Sequence, residues 1–444
     1  MTESNFYPKI NNIVSFLFCG FVITWYLQLG SRISILGAIR FELLYGVFLF
    51  MLSLVYVPKI NVNWPIYRIV LLYYIILIVQ TCVSQDIDMS IFVFTERIIK
   101  FSVLSYLIIA YVRSPKDLQF FLTAFLLACF KMGQEGFLGR ITGNMLWENQ
   151  GVMRLHGVTS LYEHPNSFSG MSLGTIPFIY KLLPLVNNKI KVLLLALTFL
   201  SLNVIIYSGS RTGYVGFIFI LIYILIKDNS KKRFLYGFII TGILFSSIVP
   251  TDYSDRFESI FTQEDKQGHS TEARKQILKD GLAIFLSNPL GVGVAAFPKV
   301  RFKTFGRSQD THNLYLEIAT NLGFQGLLVF GLLVLTIRNT INTVIASASS
   351  IKRDLLGDDS LNYIDIHDRD IILRDMKFVT SIAEAIWLFV LLRLILGFFG
   401  MDLYEIYWWF AIGLSIALLN IVSVCRKKLE VARENYERSC VSIY

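Results

Sequence analysis

The residues able to do chemistry sit in four segments, each beside a long apolar run. In SGSRTGYVGF, Arg211 falls between two apolar stretches joined by almost no loop. A guanidinium there faces a protein cavity, interfacial water or a bound anion, or it snorkels and merely marks the membrane boundary. In STEARKQILKDGLAIFLSNPLGVGVAAFP, Arg274 stands near the start of a helical pattern, where a solvated charge is the alternative to a ligand contact. A cationic cluster follows, Lys299, Arg301, Lys303 and Arg307. From residue 250 to 310 the chain carries nine cationic and eight acidic residues, so the excess is local, and it suits an anionic headgroup or a diphosphate.

The third segment is DTHNLYLEIATNLGFQGLLVF, in which His312 directly precedes an apolar run and is followed by Asn313 and Tyr315. An imidazole near neutrality takes a proton from a hydroxyl or donates a hydrogen bond to an anion. The fourth, GVMRLHGVTSLYEHPNSFSGM, supplies Arg154, His156, Glu163, His164 and Asn166. His156 and His164 lack a matching Asp/Glu/His set at helical spacing, so no metal site and no cofactor are expected. GVGVAAF lacks the spacing of a dinucleotide fingerprint; its glycines let backbone approach a ligand or a helix closely.

The elements that must position these groups are membrane helices. Of 444 residues 54% are hydrophobic and 16% charged, against roughly 25% charged in ordinary soluble domains. A soluble enzyme, a disordered chain and a nucleic-acid-binding module are excluded together. The net charge of +9 then reflects cationic cytoplasmic loops rather than a nucleic-acid partner. Of the five cysteines, Cys19, Cys82, Cys129 and Cys425 lie in or at the ends of apolar runs and read as small buried hydrophobes, while Cys440 lies in a polar tail.

A window of about 20 apolar residues finds candidate spans at 13–29, 35–57, 66–83, 98–112, 118–138, 168–185, 190–207, 212–226, 234–249, 314–337, 378–399 and 404–425. This predicts an all-α polytopic protein of about twelve transmembrane helices, the first one retained rather than cleaved as a signal. Lys59, Arg113, Lys116, Lys181, Lys189, Lys191, Lys227, Lys231, Lys232, Arg233, Arg426, Lys427 and Lys428 all fall on one side, with only Arg32 and Arg211 in the short loops of the other. Both termini are therefore expected in the cytoplasm. The organisation reads as N-terminal spans 1–138, a central unit 139–337 with an external loop 250–313, a solvated cytoplasmic loop 338–377, two last spans 378–425 and a cytoplasmic tail 426–444. Within the external loop a helix starts at Ser270 or Thr271 and stops before Pro289. Its apolar face is read as Ile277, Leu278, Gly281, Leu282 and Phe285, opposite Lys275, Lys279 and Asp280, lying flat on the membrane surface.

In order along 139–330, RLHGVTSLYEHPNSFSG, SGSRTGYVGF, EARKQILKDGLAIFLSNPLGVGVAAF and THNLYLEIATNLGFQGLLVF resemble the motifs of the O-antigen ligase/polymerase family of bacterial envelope glycan enzymes. The chain departs from many relatives in placing Ile277 and Leu278 where they carry a Trp shortly after Arg274. The resemblance implies a metal-independent, inverting glycosyltransferase of the GT-C type in the bacterial inner membrane. Its donor would be a glycan on undecaprenyl diphosphate, used at the outer face. It implies Arg211 and Arg274 as the cations that meet the departing diphosphate, and His312 as general base or as a further diphosphate contact. Arg154, Asn166, Arg301, Arg307, Asn313 and Tyr315 are the expected substrate-binding residues.

The implied function is a polymerase joining lipid-linked oligosaccharide repeats of O-antigen or exopolysaccharide. The close alternative is a ligase moving finished glycan to lipid A–core or another acceptor. Expected partners are the lipid-linked donor, a glycan or lipid acceptor, membrane lipids and a chain-length regulator, with no nucleic acid. A lipid-linked glycan flippase or transporter is the competing class. It would use Arg40, Glu42, Glu96, Arg97, Lys100, Glu384 and Arg393, ionisable residues within or beside apolar runs; Glu96 and Lys100, four apart, are placed to pair with each other.

Overall fold

The computed structural model describes residues 7, 11–56, 65–149, 152–227, 270–357 and 364–441. The expected span 234–249, the loop up to residue 269, and Lys59, Lys231, Lys232 and Arg233 lie outside the described residues. In chain order the helices are α1 (Asn12–Leu27), α2 (Leu29–Arg32), α3 (Ser34–Ala38), α4 (Phe41–Tyr56), α5 (Pro65–Cys82) and α6 (Ile87–Val93). A π-helical segment, Phe94–Ile99, joins α6 to α7 (Lys100–Tyr111), and α8 (Pro115–Thr142) follows. A two-stranded antiparallel hairpin, β1 (Leu146–Asn149) and β2 (Val152–Leu155), precedes α9 (Pro165–Leu182), α10 (Asn188–Tyr207) and α11 (Arg211–Lys227). The remaining helices are α12 (Ser270–Ser287), α13 (Phe297–Phe305), α14 (Leu314–Leu356), α15 (Ile366–Leu396) and α16 (Ile406–Val441).

Among the described residues six helices are long and apolar enough to cross a membrane: α5, α8, α10, α14, α15 and α16. α1 and α4 are apolar but shorter. With 83% of its most apolar window buried, α16 is the central helix of the bundle, packed on α7, α14 and α15. On α4 and α5 whole apolar stripes stay exposed, such as Leu44, Met51 and Val55, or Leu71 and Ile75. Surfaces of that kind are what a hydrocarbon phase stabilises, since lipid tails are as apolar as the side chains.

Local sequence explains the element ends. α8 opens with a capping box, Ser114 and Asp117 each bonding the other's backbone N–H, and with Pro115 at its first position. The run 35–57 is not one helix, because Arg40 adopts a left-handed conformation (φ 50°) between α3 and α4. The loop expected over 338–377 is mostly helix: α14 continues to Leu356 and α15 starts at Ile366. Val344, Ala348, Ile351 and Leu355 form a buried seam shared with Ile372 and Met376, so Arg353, Asp354 and Asp370 lie on the exposed outer faces of a pair of helices rather than in a loop. Cys129 and Cys425 are buried as expected, and Cys82 is exposed.

The glycine-rich segment after α12 approaches a helix. α14 is kinked at Gly323 (φ 72°, ψ −169°), and the backbone groups freed there are taken up by the incoming loop. Phe324 N donates to Pro289 O (2.9 Å), Val292 N to Thr320 O (2.9 Å) and Gly293 N to Asn321 O (3.0 Å). A Cβ on Gly323 would sit 2.3 Å from the carbonyl carbon of Leu290, so only glycine lets the two backbones meet.

Candidate active site

The site is assembled at the end of the bundle where α9, α11 and α14 begin. His164 caps α9, its Nδ1 accepting from Asn166 N (3.2 Å), and Pro165 takes the first helical position. Arg154 on β2 is buried and donates through Nε to Ser208 O (2.8 Å) and through an Nη to Asn166 Oδ1 (2.7 Å). The hairpin, the start of α9 and the end of α10 are thereby tied together. α11 begins three residues beyond Ser208 with Arg211, which is half-buried. Close packing fixes that start, because a Cβ on Gly213 would lie 2.2 Å from Ser169 Oγ, one turn into α9. The start of α11, which carries Arg211, is thereby held against α9 and three residues from the Ser208 carbonyl that Arg154 bonds.

α12 starts at Ser270 and ends at Ser287, as its cap and proline signals predict. Its faces differ from expectation. Ile277, Asp280, Gly281 and Ile284 are buried, while Leu278, Leu282 and Leu286 form a separate exposed apolar stripe. Gly281 meets Leu316 of α14, where an added Cβ would come within 2.6 Å of a side-chain carbon. Asp280, expected on a solvated face, is the acceptor of a buried ion pair. Its Oδ2 receives Nε and an Nη of Arg301, both at 2.9 Å, and Oδ1 receives Gln276 Nε2 at 2.7 Å. Arg301 on α13 also donates to Gln309 through its backbone O (3.1 Å) and Oε1 (3.3 Å). The pair therefore anchors the segment that carries His312.

His312 is exposed and holds a left-handed backbone (φ 48°), uncommon for a residue with a side chain. Asn313 then caps α14, accepting from Leu316 N (3.0 Å) and donating to Phe398 O (3.1 Å). Burial of the packed side of the ring pushes the His312 pKa below the ordinary imidazole value; the nearby Asp310 carboxylate raises it, and Arg274 and Arg301 lower it. His164 is likewise lowered, by burial first and then by Arg154 and His312. Burial raises the Asp310 carboxyl, against its bond from Thr311 N and the fields of His312 and Arg97. These mutual influences place Arg274, Asp310, His312, His164 and Arg154 in one electrostatic neighbourhood.

Most of the residues expected to hold substrate are engaged with the protein. Arg301 is 1% exposed and fully committed to Asp280 and Gln309, so it is a strut rather than a phosphate contact. Arg154 and Asn166 bond each other, Asn313 uses both ends of its amide, and Tyr315 OH donates to Leu394 O (2.8 Å). Arg307 is exposed and lies 3.7 Å from Asp280. Asp280 and Asp310 are the residues that sequence reasoning missed. The signal for Asp280 was its place between Ile277, Gly281 and Ile284 on the i, i+3, i+4, i+7 stripe. Among the described residues no group of three or more His, Cys, Asp or Glu side chains converges to hold a metal ion.

Six of the seven ionisable residues set aside for a transporter, Glu42, Glu96, Arg97, Lys100, Glu384 and Arg393, also find protein partners. Lys100 pairs with Glu96 and Arg97 with Glu405. Lys181 lies 2.6 Å from Glu384, and Glu42 accepts from Gly30 N. Arg393, buried against Gly170 of α9, donates to Gly170 O (2.7 Å), approaches Asp402 (3.5 Å) and stacks over Tyr407.

These features define a multi-pass helical membrane protein with a cationic, histidine-bearing cluster at one end of its bundle. Residues 196–331, from within α10 to within α14, match the model of the family described as O-antigen ligase. The match indicates a membrane enzyme that transfers glycan. No curated protein matches the chain.

Proposed function

We propose that the protein is a GT-C-type glycosyltransferase of the bacterial inner membrane, with both termini cytoplasmic, that joins undecaprenyl-diphosphate-linked oligosaccharide repeats of O-antigen or an exopolysaccharide at the outer face. The observation that carries this reading is the meeting of His164 at the start of α9 and Arg274 in the first turns of α12 around the left-handed His312 before α14, with the start of α11, which bears Arg211, packed onto α9 through Gly213 and Ser169. The acceptor hydroxyl attacks the anomeric carbon from the face opposite the leaving group. A new glycosidic C–O bond forms, the bond from carbon to the diphosphate oxygen breaks, and configuration inverts. The hydroxyl proton passes to His312, whose lowered pKa keeps the imidazole neutral and able to accept it. Negative charge grows on the departing lipid diphosphate. Arg211 and Arg274, with Arg307 at the margin, supply the fixed cations that stabilise it, so the reaction runs without a metal.

Loss of Arg211 should leave single repeats on the lipid carrier. If an Arg211→Ala strain makes chains of normal length, the reading fails. The family description favours keeping one second reading, a ligase acting on lipid A–core or another acceptor. The two share donor and chemistry and differ in the hydroxyl supplied. A glycan-stained gel of a deletion strain separates them, with long chains accumulating on the carrier for a ligase and single repeats for a polymerase.

A further inference from the structure

The hairpin carries a side chain that the chemistry above leaves unused. Trp147 on β1 is half-buried and pairs in register with Arg154 on β2, so both side chains leave the same face of the ribbon. Arg154 runs inward to Ser208 and Asn166, which fixes the indole against the same cluster. Two imidazoles flank it. The His164 ring lies 5.9 Å away, centroid to centroid, at an interplanar angle of 87°, and the His156 ring lies 6.2 Å away at 49°. Each imidazole is held from behind, His164 through its cap bond to Asn166 N and His156 through the contact of its Nδ1 with Gly157 O (3.0 Å). Three flat rings thus stand together on rigid supports, one of them the cap of the helix beside His312.

The chemistry of this wall is specific. An indole presents a broad apolar face, and imidazoles present donor and acceptor edges. A pyranose ring is the complementary shape, with apolar C–H faces and a rim of hydroxyls. A diphosphate needs cations, which lie elsewhere in the cluster, and a polyprenyl tail has no use for polar edges. We propose that Trp147, flanked by His156 and His164, is a stacking shelf for a pyranose ring of the glycan next to the reacting bond. The proposal rests on the glycosyl-transfer reading and names the part of the substrate that the hairpin recognises.

The test uses the full chain in lipid nanodiscs and two probes: the repeat oligosaccharide released from its carrier by mild acid, and undecaprenyl diphosphate without sugar. Trp147→Ala should weaken oligosaccharide binding about tenfold, equivalent to ~1.4 kcal/mol, and Trp147→Phe less than about threefold. Neither should change binding of undecaprenyl diphosphate. In the transfer assay Trp147→Ala should raise KM with kcat nearly kept. Unchanged oligosaccharide binding in Trp147→Ala overturns the shelf. So does an equal loss of both probes in Trp147→Phe, which would make the ring a structural prop. Failure of the enzymatic reading looks different: an Arg211→Ala strain makes normal chains, while the Trp147 dependence of oligosaccharide binding stands.

Discussion

Removing one member of the Asp280–Arg301 pair should loosen the surface lobe formed by α12 and α13 and, through it, His312. Both side chains are almost fully buried, Asp280 at 2% and Arg301 at 1% exposure, so solvent screens neither. Arg301→Met strands the carboxylate with only Gln276 at hydrogen-bond distance, and Arg307, 3.7 Å away, as a weak substitute. Breaking a buried pair in this way costs about 3–5 kcal/mol, most of it from the charge left behind. If the lobe opens locally, 3 kcal/mol raises the open population on the order of 100-fold. Hydrogen exchange of the α13 amides, followed by mass spectrometry on protein in nanodiscs, reads that change directly. Replacing both partners, Asp280→Leu with Arg301→Met, removes the stranded charge and should restore exchange to within about tenfold of wild type. Arg301→Lys keeps the charge but not the planar fork that reaches Asp280 and Gln309 together, so it should protect α13 better than Met while still lowering transfer activity. The reasoning is refuted if Arg301→Met exchanges like wild type, or if the double variant is no better than the single ones.

Two further outcomes follow from the same geometry. A base must be neutral, and burial holds His312 below 6.5, so activity should fall as pH drops through a midpoint below that value. Asp310→Asn removes the anion that raises His312, so the acid limb should move to lower pH, whereas Arg274→Gln removes an opposing cation and should move it up on the residual activity. Shifts in the reverse directions would exclude His312 as the base. Gly213→Ala sets a methyl 2.2 Å from Ser169 Oγ and should destabilise the α9–α11 contact by about 1–3 kcal/mol, displacing Arg211. The loss should be largely repaired by Ser169→Gly in the same chain, and a fully active Gly213→Ala would sink this account of Arg211.

What the sequence made legible were features with a local cause. α12 was readable at both ends because Ser270 and Pro289 act within a turn of where they stand. Six of the expected spans were readable as helices of membrane-crossing length because hydrocarbon thickness fixes that length, whatever they pack against. Other features depended on partners far along the chain. Arg301 looked like one more cation in a basic cluster; only burial against Asp280, 21 residues earlier, makes it a strut. The faces of α12 were misjudged because a helix between protein and membrane has two apolar sides. Leu278 and Leu282 then compete with Ile277 and Ile284 for the role of core. The pairing of α14 with α15 was hidden by Asp and Arg residues of its outer surface, although Val344, Ala348, Ile351 and Leu355 already kept helical time.

His312 shows how these distant supports bear on chemistry. A left-handed backbone costs a residue with a Cβ roughly 1–2 kcal/mol, so His312 stays at φ 48° only because its neighbours hold it there. On one side Asn313 caps α14 and grips Phe398 O, and Leu314 N donates to Gly397 O (2.7 Å), against which Leu314 packs too closely for any side chain at Gly397. On the other, Thr311 N bonds Asp310 (2.8 Å), and Gln309 is held by Arg301. The imidazole is therefore placed by the junction of α14 with α15 and by the buried ion pair together, not by the loop in which it stands. Releasing either anchor lets the backbone relax toward a right-handed or extended conformation, swinging the ring away from Arg274 and His164. A strut eleven residues away thus helps set the position of an imidazole that it never touches.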